Sequence, residues 1–123
     1  MDAKPKALLV DDTSAFLMIL NSILKADYEI FIATNGTDAL ETMRTAMPDV
    51  VLLDVMMPGM SGLEVLAAAK ADDALKAIPI IMITGKTGDE DEEKGFALGA
   101  AGYIGKPFDV DAVKRLIADI IRD

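Results

Sequence analysis

Five residues of this chain have side chains and spacings suited to one kind of chemistry: the adjacent pair Asp11-Asp12, then Asp54, Thr84 and Lys106. Each stands directly after a short aliphatic run. Asp11 and Asp12 follow Leu8-Leu9-Val10, Asp54 follows Val51-Leu52-Leu53, Thr84 follows Ile81-Met82-Ile83, and Lys106 follows Tyr103-Ile104-Gly105. Taken singly, an Asp or Thr in such a place is an ordinary turn former or helix cap, and a Lys is ordinarily solvated. Five of them at matching places are a set. Three carboxylates drawn together repel one another and raise each other's pKa unless a cation neutralises them. The chain has no histidine and no cysteine, which excludes imidazole triads, ordinary zinc sites and disulfides. An oxygen-only donor set favours Mg²⁺, which accepts a few carboxylates and keeps room for a phosphoryl oxygen. An Asp carboxylate is also a competent nucleophile. Phosphoryl transfer asks a protein mainly for positioning and charge neutralisation, which a cation, a Lys and a hydroxyl can supply.

Such a set needs a scaffold that carries distant residues to one edge. Apolar runs at residues 6–10, 29–33, 50–53, 79–83 and 101–104 read as strands. The first, third and fourth show little alternation, as strands covered on both faces do. Between them lie helical patterns. Phe16, Leu17, Leu20, Ile23 and Leu24 follow the capping candidates Thr13 and Ser14. Ala39, Leu40, Met43 and Met47 follow Asn35 to Thr37, with Pro48 as the stop. Leu63, Val65, Leu66 and Ala69 suggest a third helix, Phe96 and Leu98 a short fourth, and Val113, Leu116, Ile117 and Ile120 a fifth after a cap at Asp109. Strand and helix alternate five times, which predicts an α/β fold with a parallel sheet between helices. In such sheets ligands bind at the carboxyl ends of the strands, and the five polar residues sit at those ends.

Composition sets the outer bounds. A chain of 123 residues, 52% hydrophobic, fits one domain with a real core and leaves no room for a second. The net charge of −9 and a pI near 4.3 argue against direct binding of nucleic acid or anionic membrane. No apolar run approaches the roughly 20 residues of a membrane span, and residues 1–6 do not open a signal peptide. A cytoplasmic location follows as the expectation.

Residues 54–62, Asp-Val-Met-Met-Pro-Gly-Met-Ser-Gly, resemble the D-x-x-M-P-x-M-x-G signature of response-regulator receivers. Leu9-Val10-Asp11-Asp12 resembles the acidic pair of that family, and residues 103–108, Tyr-Ile-Gly-Lys-Pro-Phe, its Y-I-x-K-P-F run. The similarity covers nearly the whole chain, with the motifs in family order. It implies a single receiver domain over residues 1–123, with a doubly wound (βα)5, flavodoxin-like fold and strand order 2-1-3-4-5. It further implies that Asp54 is the phospho-acceptor, and that Asp12, Asp54 and the backbone carbonyl of Met56 ligate Mg²⁺ while Asp11 acts through an intervening water. Lys106 would pair with the phosphoryl group and the Thr84 hydroxyl would hydrogen-bond to it. The Lys106–Pro107 bond would be cis, and Tyr103 matches the aromatic ring that moves with the threonine. The implied partners are a sensor histidine kinase or phosphotransfer protein upstream. Downstream, a protein or effector domain would be met through the face of the fourth helix, fifth strand and fifth helix.

The chain departs from the chemotaxis-type members of that family at Met56 and Lys86, two residues after the acceptor Asp and the switch Thr. Those positions tune how long the phosphoryl group lasts, and typically carry an amide and an acid. Ala101-Gly102 also lacks the acidic residues used for dimer salt bridges by receivers of winged-helix transcription factors. The run Asp89-Glu90-Asp91-Glu92-Glu93 reads as a helix start that favours negative charge. The methionines read mostly as core filler, with Met57 and Met60 belonging to the signature loop, and Gly59 and Gly62 as turn formers rather than a phosphate cradle. Two other classes fit the topology. An Asp-nucleophile phosphatase of the haloacid dehalogenase type needs a second Asp where Met56 stands. A flavodoxin-like cofactor binder wants a Ser/Thr-rich loop where Asp11-Asp12 stands. The expectation is a switch with only weak self-phosphorylating and autodephosphorylating chemistry, not an enzyme.

Overall fold

The structure, a computed structural model, describes residues 4–55, 57, 59–84, 89–105 and 109–122, with the backbone alone at 89–93 and 122. Five strands alternate with five helices: β1 (Lys6–Val10), α1 (Ser14–Leu24), β2 (Glu29–Ala33), α2 (Gly36–Ala46), β3 (Val50–Asp54), α3 (Gly62–Lys70), β4 (Ile80–Thr84), α4 (Asp89–Leu98), β5 (Gly102–Gly105) and α5 (Val110–Arg122). The strands form one parallel sheet in the order β2-β1-β3-β4-β5, as the resemblance implied.

Burial explains why the central strands read as unbroken apolar runs. Every residue of β3 and β4 is buried, because helices cover both faces of the sheet. Leu8, Val10, Val51, Leu53, Ile80 and Met82 point to the side of α2 and α3. Ala7, Leu9, Val50, Leu52, Ile81 and Ile83 point to the side of α1 and α5. Each fully buried leucine contributes about 2 kcal/mol of transfer free energy, so these alternating sets hold the sheet between its two helical layers.

The helix ends are set locally. Asn35 caps α2 by accepting from the Asp38 N–H at 2.9 Å, and Met47 closes it in the left-handed region at φ 48°. Ser61 and Glu64 form a reciprocal capping box on α3, worth ~1 kcal/mol. Asp109 accepts from the Asp111 N–H and starts α5, as expected.

Four sequence expectations need correction. Asp54 and Thr84 are not the first residues of loops but the last residues of their strands, paired with Ile83 and Gly105. β4 begins at Ile80 rather than Pro79, whose ring leaves it no N–H to donate, although its carbonyl accepts from Val51. Thr13 occupies the N-cap position of α1 without a side-chain cap bond. β5 runs one residue later than expected, Gly102–Gly105 instead of 101–104. The fourth helix forms where Phe96 and Leu98 suggested it, with both side chains exposed, as are Met18 and Met47.

Candidate functional site

Strand order reverses between β1 and β3, since β1 carries β2 on its other side. The crevice of a doubly wound sheet opens at that point. The backbone N–H of Asp11 continues the β1 ladder by donating to Ala33, and its Oδ1 accepts from the Thr13 N–H at 2.9 Å. This turn explains the silent Thr13 hydroxyl: the Asp11 carboxylate, not Thr13, ties down the entry to α1. It also holds Asp11 fully buried, with Asp12 exposed beside it. Asp54 arrives from the neighbouring strand, only 5% exposed. Carboxylate oxygens of Asp11, Asp12 and Asp54 all lie within 4.8 Å of one another.

The segment after Asp54 is anchored at both ends. Val55 donates to Ile83, and Gly62 donates back to Val55 at 3.0 Å. A Cβ on Gly62 would press into the carbonyl oxygen of Asp54 and lie 2.8 Å from the Val55 Cα. Only glycine lets α3 begin this close to the backbone of Asp54. Met57 is buried, and Met60 packs on the same side of the sheet. Gly59, between them, turns at φ +78°. Gly59 and Gly62 therefore serve the backbone, as expected.

Thr84 is 2% exposed at the end of β4. Its register partner is Gly105, and Met82, two residues earlier on the same face, pairs with Tyr103. The sheet thus brings Asp11, Asp12, Asp54 and Thr84 to one edge and sets Tyr103 one step down the neighbouring strand. Lys106, Pro107, Met56 and Lys86 lie outside the described residues. The sequence reading missed the Asp11–Thr13 bond and the close approach at Gly62, although the glycine that opens a helix was a visible signal.

Three carboxylates at mutual ligand distance, one exposed to solvent, suit a hard divalent cation and no soft one. Their convergence without such an ion would concentrate negative charge in a buried crevice.

Residues 7–118 match the response regulator receiver domain family. The chain is 39% identical over 105 residues to response regulator PleD of Caulobacter vibrioides, covering 85% of this chain and 23% of that protein. It is 38% identical over 106 residues to the DNA-binding response regulator MtrA of Mycobacterium tuberculosis, covering 85% and 45%. Among solved structures, chemotaxis protein CheY4 of Vibrio cholerae superposes with a TM-score of 0.90 at 34% identity, over 96% of this chain and 99% of that one. The chain belongs to the response regulator receiver family, a class of signalling switch in two-component systems. It spans between about a quarter and a half of the curated relatives' length.

Proposed function

We propose that this receiver works by accepting a phosphoryl group on Asp54. The observation that carries this reading is the convergence of Asp11, Asp12 and Asp54 at the crevice beside β1 and β3, with Thr84 at the end of the next strand. An oxygen of the Asp54 carboxylate forms the new bond to phosphorus. The bond from phosphorus to its donor breaks, and the donor atom keeps the electron pair. With a histidine kinase or phosphotransfer protein as donor, that atom is an imidazole nitrogen. A Mg²⁺ held by Asp12 and Asp54, with Asp11 and the Met56 carbonyl in support, would supply the counter-charge that lets an anion approach three acids.

The chain's own residues divide the remaining work. Asp11, tied to the Thr13 N–H, keeps the crevice shaped. The Thr84 hydroxyl meets the transferred group, Lys106 pairs with it, and the Lys106–Pro107 bond aims that lysine. Movement of Thr84 is passed to Tyr103 and hence to the face of α4, β5 and α5, where a downstream protein or effector domain docks. Neither nucleic acid nor membrane is a direct ligand of the acidic receiver, and a cytoplasmic setting suits a kinase partner. Among the described residues, no helix is long and apolar enough to cross a membrane. Met56 and Lys86 set the lifetime of the phosphoryl group. Met56 offers no hydrogen bond to an attacking water, so the phosphorylated state should outlast that of chemotaxis-type receivers.

Acetyl phosphate with Mg²⁺ tests the assignment. Intact-mass measurement should show one added phosphoryl group in wild type and none in Asp54→Asn. Equal labelling of both would refute it.

A further inference from the structure

The interior of α4 carries a glycine, in the sequence Lys94-Gly95-Phe96. A helix-interior glycine weakens the helix relative to alanine, and its presence asks for a packing reason. That reason lies on β5. A Cβ built on Gly95 would run into the hydroxyl oxygen of Tyr103, with the Tyr103 Cζ at 2.6 Å and Cε2 at 3.0 Å. The tip of the tyrosine thus fills the volume that any other residue would claim. Its ring also leans on Phe96, with centroids 5.1 Å apart and planes inclined by 58°. Gly95 is buried under this contact, whereas Phe96 remains 53% exposed.

We infer that Gly95 is a positioning residue of the switch: its bare Cα forms the slot that seats the Tyr103 hydroxyl against α4. Tyr103 and α4 then cannot move independently. The ring leaves the slot only by opening buried space beside Gly95 and shedding its contact with Phe96, and packed contacts of this kind favour two discrete arrangements over gradual sliding. Tyr103 pairs with Met82, two residues from Thr84 on the same face of β4. The inference rests on the proposed role of Asp54 and Thr84, and it adds the point on α4 that receives the signal.

The chain has two tyrosines, Tyr28 and Tyr103, and no tryptophan. Labelling with 3-fluorotyrosine therefore yields two fluorine resonances, and Tyr28→Phe assigns them. In Gly95→Ala the new methyl takes the hydroxyl's place. The Tyr103 resonance should move in the resting protein while that of Tyr28 stays put. Acetyl phosphate and Mg²⁺ should still label Asp54 of this variant, yet shift its Tyr103 resonance less than in wild type. An unmoved resting resonance would overturn the slot, and a full-sized response to phosphorylation would overturn the coupling. Failure of wild type to label, or of its Tyr103 to respond, would count against the Asp54 and Thr84 reading, and the resting spectra would still decide the slot. Thermal melting gives an independent check. In a Tyr103→Ala background, Gly95→Ala should raise the melting temperature by a few degrees, on the order expected from helix propensity. With Tyr103 present that gain should vanish or reverse. Equal gains in both backgrounds would refute the contact.

Discussion

At the amino ends of the strands, charged side chains find local partners one by one. Asp49 accepts from the Lys6 N–H at 2.7 Å, and the Lys6 ammonium donates to the carbonyl of Ala46. Lys4 reaches the carbonyl of Lys25, and Lys70 the carbonyls of Lys76 and Ile78. Arg44 meets Asp72, and Lys76 meets Asp73. At the carboxyl ends, the same sheet gathers three carboxylates within 4.8 Å of one another. The first arrangement ties loops to strands. The second gathers like charges, which does not favour the fold, into a cluster that could hold a metal ion. Substitutions at the two ends should accordingly separate function from stability.

The largest effect is expected at the carboxyl end. Asp12→Ala should weaken Mg²⁺ binding at least on the order of tenfold, the loss typical even of groups that only orient a ligand. Phosphorylation by acetyl phosphate should slow greatly. Because Asp12 is exposed and removes a like charge from the cluster, the metal-free protein should melt no lower than wild type. A metal titration that is unchanged, or a collapse of the metal-free fold, would erase the contrast between the two ends.

Thr84→Ala comes next. It should accept the phosphoryl group but show smaller spectral changes at Tyr103 and Lys94. Full-sized changes would mean that the signal leaves the site by another route. Asp49→Ala reverses the pattern. It should leave phosphorylation unaffected and lower stability by about 1 kcal/mol, the worth of a single hydrogen bond, read as a lower urea midpoint. Arg44→Ala should cost at most a few tenths of a kcal/mol, since its pair with Asp72 spans 3.4 Å and is largely open to solvent. A cost as large as that of Asp49→Ala would show that the exposed pair carries weight its geometry does not suggest.

The carboxyl end was the more legible of the two in the sequence. Continuous apolar runs mark buried parallel strands, and a polar residue that ends such a run must emerge at the sheet edge, so Asp11, Asp12, Asp54 and Thr84 could be placed before their distances were known. Where each strand stops was not legible. Asp54 and Thr84 count as strand residues only because Ile83 and Gly105 lie beside them, and register is a property of two segments. In α1 periodicity served well: Phe16, Leu17, Leu20, Ile23 and Leu24, picked out by their spacing, are buried or half-buried, while Met18 and Ile19, off that face, are exposed. In the short acidic α4 the pattern marked the helix by Phe96 and Leu98, both exposed, and gave no sign that a buried residue is Gly95. Its slot depends on Tyr103, which belongs to another element.

The smallest expected effect concerns pH, and it sharpens the comparison because two groups at the amino end, Tyr28 and Lys70, are shifted chiefly by burial. Burial raises the pKa of the Tyr28 phenol above its ordinary 10.0, with a further push from the charge of Asp27. Burial lowers the pKa of the Lys70 ammonium below its ordinary 10.5. Tyr28 therefore contributes stability that is fully present below 10.0 and is lost as pH rises through its raised value. Lys70 behaves in the opposite sense. The unfolded chain binds the extra proton between the lowered value and 10.5, so stability rises with pH across that interval and falls as pH drops through it. The two slopes oppose each other in wild type. Urea unfolding followed from about pH 9 to about pH 11 should show Tyr28→Phe holding its stability better than wild type as pH rises. Lys70→Met should fall away faster. Both variants also change neutral stability, Lys70→Met by removing bonds to two carbonyls, so the slopes decide and not the levels. Curves that run parallel to wild type would mean that burial at this end does not govern the two groups.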